Sequence, residues 1–442
     1  MTPDFKKCFL GIVIGYGIIL SGLFYWHLFA DLEQHPANPR FYSVFEQQRG
    51  PILDRLGRPL AFSEAKGEKY VRRYATPSLS HLVGYYHHRY GLTGLEKEYH
   101  QELLRGQTLT TTIDLELQEL VENSLGSRVG GALVLSPGSG EIFALVSSPA
   151  VDGNSLEENW TEYLADLRSP FLNRVTQGLY PPGSVVKPLV YAAALETGLA
   201  QPGSQWVDEG RFSLQGRTLH NFGKRALGLI STDQALAYSS NVVFAELAVA
   251  LDSKLLEYYQ KLGLGASCPF ELKNREGFLP AQIDSPFTAA LLGIGQGELL
   301  VTPLQMALVA AVIANRGTLM EPYLVRELRG GLRMRRITRP RVLARPLLEQ
   351  TVLILRDAMV LAVEEGTAQA IGPQDFPFAA KTGTAETAAG LDHSWFLGFA
   401  PSQEPQVAVV VLVEHGGAGR TGAAPLGTEI LMGALEILGR ER

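Results

Sequence analysis

Three kinds of hydrophobic pattern alternate along the chain. The first is the run CFLGIVIGYGIILSGLFYWHLFA, residues 8–30, which contains no Asp, Glu, Lys or Arg. As a helix its roughly 23 residues rise about 34 Å, enough to cross the hydrocarbon core of a bilayer. The second is a pair of apolar runs parted by turn residues. GALVLSPGSGEIFALVSS, residues 131–148, has Pro-Gly-Ser-Gly between its runs, and SWFLGFAPSQEPQVAVVVLVE, residues 394–414, turns from Pro401 to Pro405. Both predict β-hairpins. The third is the punctuated helix. In TTIDLELQELVENSLG, residues 111–126, Thr112 or Asp114 can cap a helix that carries Leu115, Leu117, Leu120 and Val121 and stops at Gly126. VTPLQMALVAAVIANRG, residues 301–317, has Thr302 as N-cap, Pro303 at the first helical position, Gln305 as capping-box partner and Gly317 as stop. The closing LGTEILMGALEILGR is helical as well. Hairpins thus open and close the larger domain and helices fill its middle. Such a chain most economically builds an antiparallel sheet from its two ends, with helices packed against it, an α+β arrangement.

Composition narrows the class. A chain of 442 residues, 46% hydrophobic, has room for two or three domains with a sizeable core. A net charge of -6 gives no sign of nucleic-acid binding. The two cysteines, Cys8 and Cys268, lie too far apart in character and sequence to predict a disulfide; no Cys/His cluster has metal-ligand spacing, and no Gly-rich nucleotide loop follows a strand. Lys6 and Lys7 precede the apolar run, whereas Asp31 and Glu33 follow it. That asymmetry keeps residues 1–7 in the cytoplasm and sends the rest outside, with Phe24, Tyr25 and Trp26 as the outer aromatic belt. A cleaved signal peptide is the weaker reading, because the run is long and Leu28, at the -3 position of a cut after Ala30, is not small. Residues 31–48 read as a juxtamembrane linker and 49–125 as a mixed segment. The basic run at 332–345 reads as a solvated loop or strand.

Three short stretches carry candidate chemistry. YPPGSVVKPLVYAAALETG, residues 180–198, sets Ser184 three residues before Lys187, on one helical face. A serine hydroxyl needs a base. Lysine serves only if its pKa falls from about 10.4 to near 7, roughly 3 units or about 4 kcal/mol; burial among Val185, Val186, Leu189 and Val190, or a neighbouring cation, would supply it. A second Ser-x-x-Lys, Ser63 to Lys66, lies in charged surroundings beside Gly67 and reads as exposed loop. Ser239-Ser240-Asn241 sits between two apolar helical stretches; alone it is an ordinary turn. Lys381-Thr382-Gly383-Thr384 reads as an edge strand in which Gly383 admits a substrate backbone and Lys381 and the threonine hydroxyls hold a carboxylate. Alone it too is weak.

Together and in this order, the three resemble the signature of the serine acyltransferases that react with β-lactams, with Ser-Ser-Asn here in place of Ser-Asp-Asn. The likeness extends over essentially everything after the anchor. RGPILDRLGRPLA (49–61) and GLTGLEKEY (91–99) are similar to pedestal motifs of the class B penicillin-binding proteins. SSNVVFAELA, IGQGELLVTPLQMA, AKTGTAE and SWFLGFAP look like their transpeptidase domain. The resemblance implies a transpeptidase domain at 127–442, a five-stranded antiparallel sheet flanked by helices, on a small pedestal at 31–126 behind an anchor at 8–30. It implies a peptidoglycan D,D-transpeptidase in which Ser184 attacks the D-Ala-D-Ala carbonyl of a stem peptide, Lys187 is the base, Ser239 relays the proton, and the Ser184 and Thr384 N–H groups form the oxyanion hole. Asn241, Lys381, Thr382, Gly383 and Thr384 would bind substrate. No metal or organic cofactor is implied. The implied partners are stem peptides, lipid-linked precursors, β-lactams and, since no glycosyltransferase domain is recognisable, a SEDS-type membrane glycosyltransferase. The pedestal is shorter than is usual in the family, so the likeness leaves elongation and division both open. Two other readings stand beside it: a catalytically weak membrane-anchored scaffold, and a D,D-carboxypeptidase or β-lactamase. For the latter no Glu stands in a matching motif, Glu246 reading as an ordinary helix residue. His220, His393 and the His87-His88 pair are expected outside the chemistry.

Overall fold

The computed structural model describes residues 3–28, 46–331, 334–369, 376–387 and 390–440. The linker expected at 31–48, with Asp31 and Glu33, lies outside them as far as residue 45. The N-terminal helix runs Pro3–Leu28, and its stretch Asp4–Trp26 is long and apolar enough to cross a membrane.

Both predicted hairpins form. Gly130–Leu135 pairs with Ile142–Ser148, and His393–Ala400 with Val407–Val413, all antiparallel. Val407–Val413 then pairs with Gly130–Leu135, joining the two ends of the domain, and Ala379–Ala385 adds along His393–Ala400 as one of the two edge strands of five. Side chains alternate across this sheet. Val407, Val409, Val411 and Val413 pack with the helices Leu115–Leu125 and Ala423–Gly439; Ala408, Val410 and Leu412 pack on the other side, where Pro303–Ala314 lies. Each fully buried valine or leucine contributes about 1.5–3 kcal/mol, so a strand buried on both faces is firmly held.

The helix punctuation follows the chemistry of the caps. Asp114, not Thr112, caps Leu115–Leu125: its carboxylate accepts the Glu116 and Leu117 N–H groups, while the Thr112 hydroxyl donates to Ile142 O at 2.6 Å. Pro303–Ala314 carries the Thr302/Gln305 capping box, and every one of its residues is buried, which is why its sequence shows no polar stripe.

A second sheet, of six strands, forms the pedestal. It joins Ile52–Leu53, Pro59–Lys66, Lys69–Tyr74 and Thr108–Thr111 to Val325–Gly330 and Met334–Ile337, so the basic stretch supplies a strand from far along the chain. Ser63 to Lys66 is not a loop, as expected, but the end of a strand. Gly67 and Glu68 make a two-residue turn that pairs Lys66 with Lys69, with Gly67 at φ +66°. The two pedestal motifs meet in a buried ion cluster. Arg49 from the first donates to Glu96 Oε2 of the second at 2.8 Å, and Arg72 Nε donates to Glu96 Oε1 at 2.6 Å. The Arg49 guanidinium also lies 3.9 Å from the centre of the Tyr86 ring. Removing one partner of such a cluster leaves charges buried and uncompensated. Glu96→Ala is therefore expected to destabilise the pedestal by about 3–5 kcal/mol, read as a lowered urea midpoint; an unchanged midpoint would show that the cluster holds nothing together.

Candidate active site

Ser184 lies in a 3₁₀ turn, Gly183–Val186, that runs directly into the helix Lys187–Glu196. Such a turn stacks residue i over i+3 more directly than an α-helix does, so the predicted shared face survives in tighter form. Gly183 sits at φ +56°, and a Cβ on it would fall 2.4 Å from Thr384 O. Only glycine lets this turn approach the Lys-Thr-Gly strand. The approach is fixed from two more sides: Gly183 N–H donates to Gly295 O at 2.9 Å, and Trp395 Nε1–H donates to Pro181 O at 3.1 Å. Gly383 faces the same turn, where a Cβ would lie 3.1 Å from Pro182 O and Val185 N. Its missing side chain thus admits the protein's own backbone at this turn.

Lys187 and Lys381 are fully buried. Lys187 Nζ donates to Ser239 O and to Asn241 Oδ1, both at 2.7 Å, and lies 3.3 Å from Ser239 Oγ. Lys381 Nζ donates to the same Ser239 Oγ at 2.9 Å and to Thr382 O at 2.8 Å. One hydroxyl therefore bridges two amines. Burial pushes the Lys187 pKa well below the ordinary lysine value; the nearby Lys381 charge adds to this and Asp208 opposes it. Burial lowers Lys381 to about 7. A neutral Lys187 has two N–H bonds and one lone pair. The two short bonds to carbonyl oxygens take the N–H groups, and the longer contact to a hydroxyl leaves the lone pair free to accept.

The expected Ser184–Lys187 hydrogen bond is not formed: among the described residues Lys187 has its polar contacts with Ser239 and Asn241. Those acceptors satisfy the amine first, and catalytic hydrogen bonds commonly tighten only once substrate is bound. Ser239 holds φ +61°, in the left-handed region, which a serine occupies only where its surroundings impose it. The Asn241 amide donates to the His220 backbone carbonyl at 2.8 Å. Thr382 Oγ1 donates to Thr367 Oγ1 at 2.8 Å. Thr384 Oγ1 accepts Gly419 N–H at 3.0 Å, which leaves its own proton for a ligand; it is also the one half-buried residue of its strand. His393 stands at the start of the neighbouring strand with its ring 5.4 Å from that of Tyr180, outside the lysine cluster.

Sequence reasoning missed four contributors. Gly295, inside the IGQGELLVTPLQMA stretch, acts through close backbone approach, a role that the resemblance did not assign to it, and Thr367 acts through a single hydroxyl that leaves no local pattern. Asp208 and Asn221 lie in a stretch with no motif, although Asp-x-Gly at 208–210 is a turn signal: the Asp208 carboxylate accepts Gly210 N–H at 2.7 Å.

The description "Penicillin binding protein transpeptidase domain" matches residues 130–432, and "Penicillin binding protein A dimerisation domain" matches 49–129. The chain is 33% identical to the peptidoglycan D,D-transpeptidase PbpA of Mycolicibacterium smegmatis, over 98% of this chain and 99% of that one. Its fold is similar to penicillin-binding protein A of M. tuberculosis in a ceftriaxone acyl-enzyme complex, with TM-score 0.85 and 30% identity over 89% of this chain and 99% of that one. It is similar also to a D,D-transpeptidase domain from Eggerthella lenta, with TM-score 0.84 and 30% identity over 89% and 100%.

The lysine pair makes a signed prediction. Removing the Lys381 charge relieves the repulsion that favours neutral Lys187, so the Lys187 pKa rises. In Lys381→Ala the acid limb of the rate of acylation by penicillin, followed between about pH 5 and pH 9, is expected to move to higher pH. A limb that stays in place or moves to lower pH would show that the two amines are not coupled.

Proposed function

The chain belongs to the penicillin-binding protein transpeptidase family, and from that premise we propose that it is a peptidoglycan D,D-transpeptidase working through Ser184. The Ser184 hydroxyl gives its proton to Lys187 as Oγ bonds to the penultimate D-Ala carbonyl carbon. The Ser184 and Thr384 N–H groups hold the oxyanion, a contribution of about 10²–10³ in rate for each such donor. The C–N bond to the terminal D-Ala breaks, and its amine leaves with a proton passed from Lys187 through Ser239. An amine of a second stem peptide then attacks the ester, returns a proton by the same path and frees Ser184. Asn241, Lys381, Thr382, Gly383 and Thr384 hold the donor strand and its carboxylate. The observation that supports this reading best is the burial of two amines around one hydroxyl, since such a pair keeps a lone pair ready near neutral pH. No carboxylate among the described residues hydrogen-bonds Ser184, Lys187, Ser239 or Lys381. Among the described residues these four thus hold no carboxylate that could activate water at the acyl ester, which favours a long-lived acyl-enzyme over β-lactamase turnover.

The same reading assigns residues 1–7 to a cytoplasmic tail, 8–30 to a single anchor in the cytoplasmic membrane, 31–126 to the pedestal and 127–442 to the transpeptidase domain outside. Its partners are stem peptides on lipid-linked precursors and a SEDS-type glycosyltransferase that would make the strands it cross-links. Ser184→Ala is expected to abolish covalent labelling by a fluorescent penicillin, while the unaltered chain keeps its label over many turnover times of a β-lactamase. Equal labelling of both proteins, or none of the unaltered one, would instead favour a scaffold; rapid loss of label would favour a lactamase.

A further inference from the structure

We propose that Asp208 is a positioning residue for the acyl transfer: through Asn221 and Ser240 it sets the Ser239–Asn241 loop, and with it the acceptors that orient Lys187. The inference rests on the Ser184 and Lys187 reading above. Asp208 ends the strand Gln205–Asp208 and is 1% exposed. Its carboxylate accepts Asn221 Nδ2–H at 2.7 Å on one oxygen and 2.8 Å on the other, Ser240 Oγ–H at 2.5 Å and Gly210 N–H at 2.7 Å. Asn221 Oδ1 in turn accepts the N–H groups of Asn241 at 2.7 Å and Val242 at 3.2 Å. Ser240 Oγ, its proton given to Asp208, accepts Val243 N–H at 3.0 Å.

The first three N–H groups of the helix Asn241–Leu251 are thus capped by two side chains, both of which hydrogen-bond the Asp208 carboxylate. The orientation matters because an amide has nearly the same shape when turned over. Only partners that accept from Nδ2 oblige Asn221 to present oxygen to the helix: the Asp208 carboxylate and, at 2.9 Å, the Arg225 carbonyl. A hydroxyl likewise rotates unless its proton is claimed. Directly on this capped end sit the three atoms that hold Lys187: Ser239 O, Ser239 Oγ and Asn241 Oδ1. The left-handed backbone of Ser239 needs imposed surroundings of this kind. Asp208 also biases the charge on Lys187. The groups facing that amine are Lys381 from the neighbouring strand, Asp208 behind the loop, and the uncharged Ser239, Asn241 and Phe244 ring; of the two charged groups, Asp208 is the one that favours the ammonium form.

The test uses the full-length chain in detergent, with the second-order rate of Ser184 labelling by fluorescent penicillin measured across pH, beside a melting curve. Asp208→Asn keeps the shape but turns an acceptor into a donor. It is expected to lower the plateau rate by about 100-fold, the scale of a misplaced catalytic group, and to move the acid limb to lower pH, because a negative charge near Lys187 is gone. Ser240→Ala keeps that charge; it is expected to lower the rate with the limb unmoved. If Asp208→Asn does not fold, Ser240→Ala carries the test alone, and an unchanged rate there overturns the proposal. An unchanged rate and limb in Asp208→Asn overturn it too, as does a loss in both variants that follows the melting temperature with no movement of the limb. An unaltered chain that fails to label overturns the acyl-transfer reading and this inference together.

Discussion

Two buried amines share the oxygen of Ser239, and the rest of the site is arranged around that constraint. Two ammonium ions within reach of one oxygen repel by roughly 3–4 kcal/mol at an effective dielectric near 20, and burial adds to the cost of each charge. At least one amine is therefore driven towards its neutral form. The pair also makes stability depend on pH in a definite direction. The unfolded chain holds protons on its lysines up to near 10.4, whereas folded Lys381 releases its proton around 7. Over that window the unfolded state binds more protons, so the native state gains stability as pH rises from about 7. Burial of these amines costs stability in acid and supplies a base near neutrality.

The architecture explains how three segments so far apart in sequence reach one oxygen. Because the sheet closes through Val407–Val413 and Gly130–Leu135, the Lys-Thr-Gly strand is left as an edge strand. Its pairing partner on one side is His393–Ala400; its other edge faces the Ser184 turn. An open strand edge of this kind is usually a liability, and it is also the natural place for an extended peptide to add main-chain hydrogen bonds. The helices Lys187–Glu196 and Asn241–Leu251 pack on one another beside it and bring the other two segments. Tyr180, just ahead of the turn, donates to Glu414 at 2.6 Å, and Arg174 donates to the same carboxylate at 2.7 Å. The approach to Ser184 is thereby tied to the end of the central strand Val407–Val413, level with Thr384 in the sheet.

Much of this was legible in the sequence because it depends on local signals. The hairpins announce themselves by turn residues between apolar runs, the helix at Pro303 by its capping box, and the lysines by their motifs. What was not legible depends on partners that only the fold selects. Asp114 caps its helix, and not Thr112, because a carbonyl at Ile142 claims the threonine hydroxyl. Ser63 to Lys66 is a strand because Lys69–Tyr74 lies beside it. Gly383 spends its missing side chain on the Ser184 turn, a contact no spacing rule contains. The pedestal sheet borrows strands from 325–337, which a reading by contiguous segments does not find.

The composition of the lysine cage has a reason of its own. A carboxylate in direct contact with Lys187 would hold its proton and leave no lone pair for the role proposed above. A cage with no carboxylate at all would leave a hydroxyl, an amide and a left-handed serine without anything to fix their orientation. The chain resolves this by distance. The groups that touch Lys187 are a carbonyl, a hydroxyl and an amide oxygen, all neutral. The carboxylate stands one layer further out, behind Ser240 and Asn221, where its charge is felt weakly and its hydrogen bonds are felt fully. Neutral asparagine at both 221 and 241 is what separates the two effects: each passes on an orientation without passing on a charge. The same requirement fits Ser240, the middle residue of the Ser-Ser-Asn stretch, which is buried and is itself the cap of the helix. An aspartate at that position, as in the Ser-Asp-Asn form, would meet the Asp208 carboxylate head-on, and two buried carboxylates in hydrogen-bond contact cannot both stay ionised.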